Sequence, residues 1–113
     1  MHRWQITGAL SIASLAAPWH ARRDALQLLL AAADDWSSAA AILGFAACAE
    51  LDPELRAPVL AIFVELAQAE HASRKPSARA LAIAGMRLAE GAARTLFIRL
   101  RVALLTERTR SQR

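Results

Sequence analysis

The last third of the chain, Pro76 to Thr109, most limits what this sequence can fold into. It holds no proline after Pro76, is rich in Ala, Leu and Arg, and reads as one continuous helix over 77–108. At about 1.5 Å per residue such a helix runs on the order of 50 Å, longer than a small domain is wide. Arg87, Arg94, Arg101 and Arg108 recur every seven residues, which predicts one narrow line of guanidinium groups with Glu90 inside it. Viewed down the axis, Leu96, Leu100, Ala103 and Leu104 form one apolar side with Phe97 at its margin. Ile98, Val102 and Leu105 form a second strip beyond the arginines. Two apolar strips parted by charge need two sets of neighbours, so either the helix is embedded between them or one strip meets another molecule, and the second strip is the expected contact. A break in the middle of this helix, or enclosure of Ile98, Val102 and Leu105 within one protomer, would remove that reading.

The rest of the chain also reads as helix. Alanine has the best intrinsic helix propensity, and much of the 56% hydrophobic content is alanine, with few β-branched residues. A length of 113 residues predicts a single domain over 1–113. The expected fold is all-α: four or five helices in an orthogonal or hairpin bundle, with a long C-terminal helix. Their expected spans are 4–17, 22–33, 36–51, 54–71 and 77–108. In the first, Trp4, Gly8, Ile12, Leu15 and Trp19 share a stripe, and Pro18 ends or redirects it. Leu26, Leu29 and Ala33, widened by Leu28 and Leu30, form the apolar face of the second. Asp34 and Asp35 are N-cap candidates for the third, whose buried stripe is expected at Trp36, Ala40, Leu43 and Ala47 with Phe45 and Leu51. Gly44 in its middle suits a close helix crossing.

Asp52-Pro53-Glu54 is the clearest boundary: aspartate as N-cap, proline at the first helical position, glutamate in the first turn. Pro58 then implies either a kink or a short turn ahead of the true helix. Val59, Ile62, Phe63, Leu66 and Ala69 make its apolar face, with Glu65, Gln68 and Glu70 pointing elsewhere.

Residues 1–20 have a basic start and a short apolar run resembling a secretory signal, but Gln5, Thr7, Ser11 and Ser14 interrupt the run. An amphipathic first helix is the favoured reading, with a cytoplasmic location and no transmembrane span. A lone cysteine, Cys48, permits no internal disulfide and fits a reducing compartment. Its alanine neighbours mark it as a small core residue. Arginine greatly outnumbers lysine, which suits a GC-rich bacterial genome.

Charge is unevenly spread. Residues 1–75 sum to −2, whereas 76–113 carry eight arginines against Glu90 and Glu107, which is +6. No metal-ligand spacing joins His2, His20, His71 and Cys48, the four glycines form no phosphate loop, and no serine sits in a nucleophile motif. The sequence therefore predicts no catalytic residues, no cofactor and no metal, and the protein is not expected to be an enzyme.

Ala41, Phe45, Cys48 and Pro53 fall at the small, aromatic, small and proline positions of a tetratricopeptide unit, and Leu28 at its leucine position. The 22–53 hairpin thus resembles one such repeat, although Ala25, Leu29 and Ala32 replace its tryptophan, glycine and tyrosine. A HEAT-like reading of the proline-bent segment Pro53–Pro58 is equally open. Either resemblance implies protein-binding surfaces made from stacked helical pairs.

The expected function is a non-catalytic interaction module, an adaptor, small chaperone or assembly subunit, that uses the C-terminal helix. Ile98, Val102, Leu105 and Phe97 are its expected apolar contacts, and Arg94, Arg101 and Arg108 its charge partners. The partner is a protein or a second copy. Nucleic acid or an anionic membrane surface are the alternatives.

Overall fold

The structure, a computed structural model, describes residues 18–31, 35–70, 72–75 and 77–111, and for 35 and 107–111 the backbone alone. The expected helix over 4–17 lies outside these, as do Asp34, His71 and Pro76. Among the described residues all regular structure is helical, so the fold is all-α. Five α-helices lie among the described residues: α1 (Trp19–Leu30), α2 (Asp35–Leu51), α3 (Arg56–Gln68), α4 (Ala78–Leu88) and α5 (Gly91–Ser111). Short 3-10 turns at Pro53–Leu55 and Ala72–Arg74 precede α3 and α4. The chain divides into two compact units, 1–59 and 60–113.

In the first unit, α1 starts directly after Pro18, earlier than the expected 22, because the Pro18 carbonyl accepts from the amides of Ala21 (3.1 Å) and Arg22 (3.2 Å). It ends at Leu30 rather than 33, the Ala31 amide closing the last turn onto the Gln27 carbonyl. α1 and α2 pack as an antiparallel pair, as two contacts show. At one end the Ser38 hydroxyl donates to the Leu30 carbonyl at 3.1 Å. At the other the Trp19 ring meets Phe45 edge-on, with centroids 6.1 Å apart and planes at 66°, a favourable aromatic geometry. Leu26 is fully buried, whereas Leu28 is exposed and does not widen the face.

The stripe expected on α2 is out of phase. Ala40 and Phe45 are buried as expected and Ala47 is half-buried, but Trp36, Leu43 and Leu51 are exposed. The buried arc is centred on Ala41, Phe45 and Cys48, with Gly44 inside it. Small side chains at this seam let neighbouring elements approach around Phe45 and Ile42, while Trp36, Leu43 and Leu51 fall on the outer arc.

At Asp52 the expected boundary holds: its carboxylate accepts from the Glu54 amide at 3.1 Å, with Pro53 opening the 3-10 turn. Pro58 sits in the first turn of α3, where its missing amide has no intrahelical partner to lose. The short turn ahead of the true helix is therefore the form adopted. α3 buries Val59 and Phe63 fully and Ile62 and Leu66 in part, leaving Glu65 and Gln68 exposed. It ends at Gln68, and Ala69 beyond it is exposed.

The continuous helix expected over 77–108 is broken. α4 stops at Leu88, Ala89 turns extended (φ −87°, ψ 151°), and Gly91 begins α5 at φ +60°. That left-handed conformation costs an L side chain roughly 1–2 kcal/mol, and glycine adopts it freely. A Cβ at Gly91 would meet nothing within 4 Å, so backbone conformation alone requires the glycine.

After the break α5 packs back along α4, and the turn Ala72–Arg74 packs on both. α4 buries Ala78, Leu81, Ala82, Gly85 and Leu88 at i, i+3, i+4, i+7 and i+10, with Ala84 beside them. The Phe97 ring of α5 lies over Gly85 so closely that a Cβ there would overlap it. Phe97 is fully buried and Leu100 nearly so.

Gly85→Ala should therefore destabilise by roughly 1–3 kcal/mol through overpacking, although alanine in a helix gains about 1 kcal/mol over glycine. In a Phe97→Ala background the same change should turn neutral or stabilising. Urea denaturation of the four proteins of this cycle checks it, and additive costs would contradict the contact.

Candidate interaction surface

The residues singled out by the sequence separate into three groups. Phe97 does not belong on the surface: it is the centre of the α4–α5 contact, because the missing side chain at Gly85 leaves room for its ring. Arg87 leaves the heptad line, since the break puts it on α4, and Glu90 becomes an exposed part of the connection. Arg94, Ile98, Arg101, Val102 and Leu105 remain together on the outward side of α5. The Arg108 side chain lies outside the described residues.

Ile98, Val102 and Leu105 are 41%, 57% and 56% exposed. The helix is broken, which removes the docking reading built on one long rod; that the strip is not enclosed is a separate observation. The break lets α4 cover one side of α5, at Phe97 and Leu100, and leaves the second strip open. The docking case now rests on that exposure and no longer on the length of a rod.

A groove of about 320 Å³ lies beside this strip, lined by Arg79, Ala82 and Ile83 from α4 and by Arg101, Leu104 and Leu105 from α5. It lies at the end of the helix pair away from the connection, beyond the Gly85–Phe97 contact. Two guanidinium groups therefore share an otherwise apolar cleft. Among the described residues neither Arg79 nor Arg101 makes an ion pair or a side-chain hydrogen bond. Sequence reasoning assigned Leu104 to the covered side and passed over Arg79, Ala82 and Ile83. The i, i+4 spacing of Arg79 and Ile83 was readable, but a straight helix would place them roughly 33 Å from Arg101 and Leu105.

Cys48 is fully buried, and burial pushes its thiol above the ordinary range, with the nearby Arg22 charge opposing in part. A raised pKa keeps the group protonated and poorly nucleophilic at neutral pH. Among the described residues no group of three or more His, Cys, Asp or Glu could hold a metal ion. No helix among them is long and apolar enough to cross a membrane.

Fold and surface together define an all-α protein. Comparison with protein families, curated proteins and solved structures yields no match.

The buried thiol predicts slow chemistry in the native state. A thiol-exchange reagent such as dithionitrobenzoate should react with Cys48 only at the rate of opening, and urea should accelerate it. Because the folded-state pKa is raised, the thiol's contribution to stability is complete below the unfolded value of about 8.5 and is lost as pH rises beyond it. Prompt labelling at pH 7 would contradict this placement.

Proposed function

We propose that the protein is a non-catalytic interaction module that docks a protein surface through the outward side of α5. The exposure of Ile98, Val102 and Leu105 in one strip carries this reading. Such a strip, rimmed by charge, is the kind of surface by which helices dock against partners. An adaptor, a small chaperone or an assembly subunit would use it in this way. The hairpin of α1 and α2, read as a tetratricopeptide-like or HEAT-like pair, belongs to the same proposal, since repeats of that kind act as protein-binding scaffolds.

A second copy is the simplest partner, with two α5 helices pairing antiparallel across the strip. Residues 60–113 carry ten cationic side chains against four carboxylates, a charge of +6. Pairing two such surfaces opposes like charges, so self-association should strengthen as salt screens them. An acidic partner would bind more weakly as salt rises. The second reading, a polyanion such as nucleic acid or an anionic membrane surface, is favoured by Arg94, Arg99 and Arg101, which are exposed and make no ion pair among the described residues. Nucleic-acid affinity would fall with salt by about 0.7–0.9 log units per log unit of salt for each phosphate contacted.

Light scattering over a range of concentrations should show the mass rising above 12.2 kDa, more so at higher salt. Val102→Asp and Leu105→Arg should hold it at that value. A wild-type mass fixed at 12.2 kDa under all conditions would reject self-pairing.

A further inference from the structure

The groove between α4 and α5 differs in kind from the open strip beside it. We propose that it binds a monomeric amphiphile with a carboxylate head, the head between the guanidinium groups of Arg79 and Arg101 and the alkyl body along Ile83, Leu104 and Leu105. Charge complementarity is the first ground. Both arginines line one cleft, neither makes an ion pair among the described residues, and their planar forks match a carboxylate's two oxygens.

Size is the second. A volume of about 320 Å³ lies at the lower end of small-molecule sites, which run from about 300 to 1,000 Å³. A short alkyl chain fits the apolar part of the cleft, and the two charged groups suit a polar head. The lining follows the same division, with two charged groups over side chains that are otherwise apolar.

The groove and the strip share Leu105 and Arg101, but Ile98 and Val102 do not line the groove and Arg79 and Ile83 do not belong to the strip, so variants at those four positions tell the two proposals apart. The test is a titration of the full chain with sodium decanoate at concentrations below self-assembly, followed by amide shifts in ¹H–¹⁵N spectra. Saturable shifts are expected at Ala82, Ile83, Leu104 and Leu105. Arg79→Ala and Arg101→Ala should each weaken binding roughly five- to tenfold, given charge-assisted contacts in a half-open site. Ile83→Glu, at an exposed position that tolerates charge, should abolish binding by repelling the head, while Leu28→Gln in the first unit should leave it unchanged. The uncharged 1-decanol should bind at least as weakly as the arginine variants bind decanoate. Equal affinity for decanol, or shifts centred elsewhere, would overturn the proposal. So would a response to phosphatidylglycerol vesicles with none to decanoate, which would assign the arginines to a membrane surface.

Discussion

The reversal at Gly91 and the seating of Phe97 over Gly85 govern how α4 and α5 lie together. The first requires a left-handed backbone at Gly91, and the second requires a missing side chain on the facing helix. Together they turn a stretch that could run straight into two helices lying side by side. That pairing covers Phe97 and Leu100, places Arg79 and Arg101 in one groove with Leu105 at its edge, and leaves Ile98 and Val102 outside. Groove and strip are thus two products of one fold-back, adjoining at Leu105.

Charge follows the same division. The boundary between compact units, drawn after Val59, leaves −2 on one side and +6 on the other. Concentrated like charge opposes compaction and makes association depend on ionic strength. Exposed arginines add little to stability one by one, so their clustering bears on partner choice more than on the fold. Two of them share an apolar cleft, where an anion could engage both while its body is removed from water.

Much of the helical content was legible, and the reasons for the failures are physical. Alanine-rich segments with apolar residues at helical spacing made the all-α class readable, and Asp52-Pro53-Glu54 marked a boundary through chemistry that is local. The face of α2 was misplaced because periodicity ranks large apolar residues as the buried ones. Here the seam takes Ala41, Gly44 and Cys48, and Trp36 and Leu43 lie on the outer arc. The break was missed because glycine inside a helix costs only about 1 kcal/mol, a weaker interruption than proline, so Gly91 did not by itself exclude a continuous rod. Phe97 was put at a margin because the space above Gly85 exists only once the helices lie together. The groove was illegible for the same reason: half of its lining sits about twenty residues from the other half in sequence.

The fold-back can be measured directly. With Cys48 replaced by alanine and nitroxide labels at the exposed positions Arg79 and Thr106, dipolar spectroscopy reads the separation of the two helices. Packed helices lie about 8–10 Å apart between axes, which with label arms gives a distance on the order of 10–25 Å. A distribution centred near about 40 Å, the span of a straight helix between these positions, would contradict the fold-back and with it both the groove and the covered side of α5.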